Sequence, residues 1–215
     1  QGVSNREMIK ECFRPLFLFM VGCMFLTGAT ELGTNQWIAE LLSAVGVPSI
    51  LLLVFINGIM VVGRANAGFI LKRLPTPGLL FFSAVFSFAG LIWLGYAQGY
   101  TAFAAAAVFA VGVCFFWPTM IGFVSENLPK TGPLGLSIMG GTGLLSTSLI
   151  LPYFGQVYES RIASKIIGGT PAEVFKNAAG GTAEAMHWAT IKLAAGAETL
   201  WYVSAMPAVL IVSFG

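Results

Sequence analysis

PSILLLVFINGIMVVGRANAGFILKRLPTPGLLFFSAVFSFAGLIWLGYA, residues 48–97, holds two apolar runs on either side of one basic turn. Each run is roughly 20 residues long, the length that crosses the hydrocarbon core of a bilayer as a helix. Pro48 and Pro77 stand where each run begins, and proline suits the first turn of a helix. Arg64, Lys72 and Arg73 gather at the junction. The stretch reads as two membrane-spanning helices joined by a positively charged turn.

The same pattern extends along the chain and predicts six spans. Segment A runs from about Pro15 to Thr30 and continues past Trp37. Segment B covers Pro48 to Leu71, segment C Pro77 to Ala97, and segment D Thr101 to Val124. Segment E covers Pro133 to Phe154, and segment F opens near Ala194 and is still apolar at Gly215. Thr101 is placed to cap segment D. Pro118, Pro152 and Pro207 lie inside D, E and F, where they are expected to kink the helices. Gln1 in place of Met and an apolar run open at Gly215 read as a chain cut at both ends, with the last helix truncated.

Composition agrees. Hydrophobic residues make up 57% of the chain and charged residues 9%, with no aspartate anywhere. A soluble domain carries about 25% charged residues, so this chain cannot cover a water-facing surface. The net charge is +2 and the basic residues form no patch, which excludes nucleic acid as the partner. Cys12, Cys23 and Cys114 show neither metal spacing nor a disulfide framework.

The basic residues alternate between the ends of the spans. Arg6, Lys10 and Arg14 precede A, Arg64, Lys72 and Arg73 join B to C, and Lys130 joins D to E. The A–B link and the C–D turn hold no Lys or Arg. The positive-inside rule therefore places the N-terminus, the B–C turn and the D–E turn in the cytoplasm. The E–F link, residues 156–193, is expected to be an outer loop. Within it, Thr170-Pro171-Ala172-Glu173 reads as a capping box that starts a short surface helix, bracketed by Gly168, Gly169, Gly180 and Gly181. A–B–C and D–E–F enter from opposite sides, the arrangement of a three-plus-three inverted repeat.

Enzyme signatures are lacking. There is no H-E-x-x-H, P-loop or dinucleotide fingerprint, and nothing calls for a cofactor or a metal. His187 is the one histidine, and it lies in the expected outer loop. Glu31 is the sharpest feature, because it falls well along segment A, where ionisable groups face a polar cavity or a partner. Thr27, Glu31 and Asn35 are spaced to share one helix face, with Gln36 and Trp37 close by. Asn57 is an amide in mid-segment B, and Trp117 lies in the proline-broken Phe115-Phe116-Trp117-Pro118 stretch. These residues are the candidates for binding a solute or a proton. Arg64 and Glu126, at the cytoplasmic ends of B and D, are expected to pair in one state of a gate, with Arg73 and Lys130 beside them. Gly135, Gly140, Gly141 and Gly143 in segment E are expected to let helices approach closely.

These features together resemble the C-terminal six helices of the major facilitator superfamily. Gly63-Arg64 through Arg73 looks like that superfamily's second cytoplasmic loop motif, although its acidic residue is absent. Glu126-Asn127-Leu128-Pro129-Lys130 is similar to the acidic-then-proline turn of sugar porters. Pro118…Gly135…Gly140-Gly141…Pro152…Gly155, and an intramembrane Glu31 shortly before Trp37, look like the fucose and glucose/galactose permease branch. The resemblance implies half of a twelve-helix transporter, with residues 1–14 ending the cytoplasmic link between halves and an N-terminal half missing here. It also implies a plasma (inner) membrane location and a cavity lined by segments A and D. The expected function is alternating-access transport of a small polar, sugar-like solute, with protons as the coupling ion. Export of drugs or metabolites on the same fold, and a non-transporting membrane sensor or scaffold, remain as alternatives.

Overall fold

The computed structural model describes residues 4–68, 75–166, 170–178 and 182–215. Every regular element among the described residues is helical. A short α1 (Asn5–Cys12) leads into α2 (Pro15–Gly28), which passes through a π-helical turn (Ala29–Gly33) into α3 (Thr34–Leu41). Next come α4 (Ser49–Ala65), α5 (Thr76–Tyr96), α6 (Thr101–Cys114) and α7 (Phe116–Asn127). A 3-10 turn (Pro129–Thr131) opens α8 (Gly132–Lys165), and α9 (Pro171–Ala178), α10 (Thr182–Val203) and α11 (Ala205–Phe214) complete the chain.

Among the described residues, five helical runs are long and apolar enough to cross a membrane: Pro15–Leu41, Thr76–Tyr96, Thr101–Asn127, Pro129–Lys165 and Ala183–Phe214. The α4 helix is apolar but has 17 residues, about 25 Å of rise. The protein is an all-α membrane protein. Its surface carries Val54, Val61, Leu144, Leu149 and Val212, while Thr27, Thr30, Glu31, Ser87 and Thr199 are buried. That distribution suits hydrocarbon outside and hydrogen bonding inside.

Segment A is continuous from Pro15 to Leu41. Segment E differs from its expected boundary. It does not stop at Phe154 but continues through Pro152 and on to Lys165. Segment F likewise begins at Thr182, not near Ala194. Most of the expected outer loop, residues 156–193, is therefore helix. The charged residues of this stretch pair across the two extended helices: Arg161 and Lys165 of α8 both meet Glu198 of α10. Lys192 of α10 meets Glu40 of α3 at 2.8 Å. Lys72, Arg73, Gly168, Gly169, Gly180 and Gly181 lie outside the described residues.

The short surface helix is present as α9. The Thr170 amide donates to Glu173 Oε2 at 2.8 Å, and the Glu173 amide donates to Thr170 Oγ1 at 3.4 Å. The Thr170 backbone bond, and then its side chain, hold the Glu173 carboxyl below its ordinary range. A depressed carboxyl stabilises the fold at neutral pH, and that contribution is lost as pH falls through the depressed value. Thr170→Ala, which removes the hydroxyl and keeps the backbone amide donor, is expected to move the Glu173 titration only part of the way towards an ordinary glutamate. Side-chain carboxyl NMR shifts followed against pH would read this, and an unmoved titration would exclude the side-chain part of the cap.

Internal prolines act differently from one another. The helical run breaks three residues before Pro118, at Phe115, and three before Pro207, at Ser204. Helix α8 runs unbroken through Pro152. Thr101 is the first residue of α6 and ties its hydroxyl to Gln98, accepting from the Gln98 amide at 3.1 Å and donating to its carbonyl at 2.7 Å.

Candidate functional site

Glu31 sits in the π turn, 3% exposed. It lies about 24 Å of helix rise beyond Pro15, and Arg64 lies about 22 Å beyond Ser49 on the antiparallel α4. The two side chains bridge the remaining height, and Arg64 Nη2 donates to Glu31 Oε1 at 2.6 Å. The ion pair therefore joins the interior of the Pro15–Leu41 run to the last turn of α4. As expected, Arg64 stands at the end of segment B, in the last turn of α4, which ends at Ala65, and its long side chain reaches back to Glu31 in the bundle.

A second bond fixes the guanidinium. Arg64 Nε donates to the Cys114 carbonyl at 3.1 Å. Pro118 explains why that carbonyl is free. In an α-helix the Cys114 carbonyl would accept from the amide of residue 118, and proline has none. The break at Phe115 opens the backbone, and Arg64 of the neighbouring helix supplies the missing donor. Cys114 in turn donates from its thiol to the Met60 carbonyl at 3.5 Å. Glycine at position 63 makes the approach possible, since a Cβ there would stand 2.6 Å from Cys114 Sγ.

Arg64 and Glu126 are not brought together. Glu126 is exposed at the end of α7, about 18 Å of helix rise from Cys114, and Lys130 is exposed in the turn that follows. Arg73 lies outside the described residues, so of the four expected gate residues only Arg64 joins the interior site.

The expected shared face of Thr27, Glu31 and Asn35 is divided. Glu31 and Asn35 both reach α4. Asn35 and Asn57 exchange amide bonds at 3.2 and 3.4 Å, and Asn57 also donates to the Leu53 carbonyl at 2.8 Å. Thr27 is fully buried and donates to the Met24 carbonyl of its own helix at 3.0 Å. A π turn holds an extra residue, which rotates everything beyond it relative to an α-helix. Spacing rules for an unbroken α-helix do not carry across such a turn. Gln36 is exposed.

Trp117 is half-buried on α7 and lies against the backbone of α8, where a Cβ on Gly143 would stand 2.6 Å from Trp117 Cζ2. Gly143 also receives α2, because a Cβ on Gly28 would stand 2.8 Å from the Gly143 carbonyl oxygen. Three helices thus converge on one glycine. Gly135 is similarly tight against Thr131, while Gly140 and Gly141 face open space, so only two of the four segment E glycines serve close packing.

Among the described residues, several polar atoms here have no partner. Glu31 Oε2, Trp117 Nε1, Thr34 Oγ1 and Thr119 Oγ1 are buried without a hydrogen bond. Buried polar groups are ordinarily satisfied, and unpaired ones are more costly still inside a membrane. An acceptor on the π turn and a donor on α7 are left available in the helices that flank Arg64. Among the described residues no group of His, Cys, Asp or Glu is arranged to hold a metal. No family model, curated protein or solved structure matches the chain.

Proposed function

We propose that this chain is the C-terminal six-helix half of a secondary transporter of the major facilitator type. It moves a small polar, sugar-like solute by alternating access, coupled to protons, in the plasma (inner) membrane. The single observation that carries the reading is the Glu31–Arg64 pair, held between a π turn in one helix and the proline break of another. An intramembrane ion pair is costly and marks solute and ion pathways. Discontinuous helices at mid-membrane supply binding groups in transporters, because their backbone polar atoms are not all used within the helix. Here a π turn carries the carboxylate and a proline-freed carbonyl anchors the arginine.

In this reading Glu31 is the coupling or solute-binding carboxylate, and Trp117 offers a ring and an indole N–H to the solute. The second, N-terminal six-helix half closes the cavity from the opposite side, and the N-terminus of this chain faces the cytoplasm. The Asn35–Asn57 amide pair ties α3 to α4, worth about 1 kcal/mol in a membrane interior, so the hairpin that carries the ion pair moves as a unit.

The test is solute uptake into proteoliposomes that hold the complete polypeptide, with and without an imposed pH gradient. The expected result is gradient-driven accumulation of a sugar-like solute. Glu31→Gln is expected to abolish its dependence on pH. Saturable binding without flux would replace this reading with a membrane sensor. Flux of apolar cations with no sugar competition would replace it with an exporter.

A further inference from the structure

We infer that the Glu31–Arg64 pair is a charge-exchange site, and that the transported solute carries one negative charge. A proton taken up by Glu31 releases Arg64, whose guanidinium then pairs with a carboxylate on the solute. This rests on the transporter reading and adds to it the charge class of the substrate.

Three observations carry it. The first is that Arg64 has two independent anchors. Breaking the bond to Glu31 leaves the Nε bond to the Cys114 carbonyl intact, so the guanidinium stays oriented when its counter-ion is neutralised. The planar fork of arginine then meets a carboxylate with two parallel bonds. The second is exposure. The Arg64 side chain is 39% exposed while that of Glu31 is 3% exposed, so the guanidinium is the part of the pair that an incoming solute meets. The third is the state of the carboxylate. Glu31 Oε2 is buried and bonded to nothing, so it is an open oxygen on which a proton is accommodated without displacing a donor.

Among the described residues, no competing base faces Glu31. Arg64 faces it from α4, and the Cys114 thiol lies beside the pair. Helix α8 meets this turn through Gly143, Ser146, Ile150 and Phe154, and α11, which also packs here, holds no ionisable residue.

Charge balances at each step. In the paired state the site is neutral. One proton bound to Glu31 makes a neutral acid and leaves the site at +1 on Arg64. One monoanion returns it to zero. Proton and solute cross together with no net charge moved, and loss of the proton on the far side re-forms the Glu31–Arg64 bond and expels the anion. A neutral sugar cannot take the place of the carboxylate, because Arg64 would then be left without a counter-ion.

The experiment uses proteoliposomes of the complete polypeptide with glucuronate and lactate as monoanionic probes and glucose and galactose as neutral ones. One unit of imposed pH difference, acid outside, is expected to concentrate a monoanion about tenfold at equilibrium, and an imposed membrane potential is expected to leave that ratio unchanged. Glu31→Gln, which imitates the protonated acid, is expected to retain counterflow exchange of the monoanion and lose pH-driven accumulation. Accumulation of a neutral sugar without competition from either monoanion would overturn charge exchange and leave the transporter reading standing. Monoanion accumulation that follows the membrane potential would also overturn it. No flux of any of the four probes through folded protein would overturn both.

Discussion

Glu31→Leu is expected to destabilise the folded protein by about 3 kcal/mol, the lower end of the range for removing one partner of a buried ion pair. The lower end applies because Arg64 is 39% exposed and can turn towards water. Leucine has nearly the volume of glutamate, so packing is preserved and the loss reports the charge. The double variant Glu31→Leu/Arg64→Leu is expected to recover part of this, since no unpaired charge remains. It should not recover everything. Without Arg64 the Cys114 carbonyl loses its donor, and an unsatisfied buried acceptor costs about 1–3 kcal/mol. Adding Pro118→Ala restores an amide at the position where the helix would donate to that carbonyl, so the triple variant is expected to be more stable than the double. Unfolding in detergent, followed by tryptophan fluorescence, reads all three. A double variant no more stable than Glu31→Leu alone would show that the pair is not energetically coupled.

The second large effect is at the seam between α5 and α6. A Cβ on Gly112 would stand 2.3 Å from the Ser87 backbone nitrogen, and one on Gly90 would stand 2.5 Å from the Phe109 backbone nitrogen and Cα. These contacts are backbone atoms, which cannot swing aside as a side chain end can. Alanine at either position must push the two helices apart, and overpacking of this kind costs about 1–3 kcal/mol. Both glycines lie on one seam, so the first substitution opens room for the second. Gly90→Ala/Gly112→Ala is therefore expected to cost less than the sum of the singles. Gly140→Ala and Gly141→Ala are the contrast. Nothing stands within 4 Å of a Cβ at either position, and alanine is the better helix former by about 1 kcal/mol, so both are expected to leave stability unchanged or slightly raised. Equal gains at all four glycines would show that helix propensity, not contact, sets the effect.

Of the six expected spans, five have helices long and apolar enough to cross a membrane, and they were legible because their cause is local. Twenty apolar residues need a bilayer wherever they sit, and Pro15, Pro48, Pro77 and Pro133 mark helix starts through their own missing amide. The Thr170–Glu173 capping box was legible for the same reason, since both partners lie within one turn. Boundaries in the second half were not legible: Arg161, Lys165 and Lys192 fall in the expected outer loop, but partners on other helices, Glu198 and Glu40, let these charges sit on helices.

The site divides in the same way. Glu31 stands out in sequence as a costly charge in an apolar run, and Asn57 and Trp117 stand out as polar groups in theirs. Their partners do not. Whether Arg64 meets Glu31 or Glu126 depends on the relative height of helices far apart in the chain, and no local preference encodes that height. The π turn at Ala29–Gly33 rotates Asn35 to Asn57 and leaves Thr27 facing its own backbone, because an inserted residue resets the register beyond it. Pro118 announced a broken helix from its position alone. Only the packed bundle decided that the carbonyl it frees would be taken by an arginine from the next helix, since that choice belongs to whichever donor the tertiary structure brings within reach.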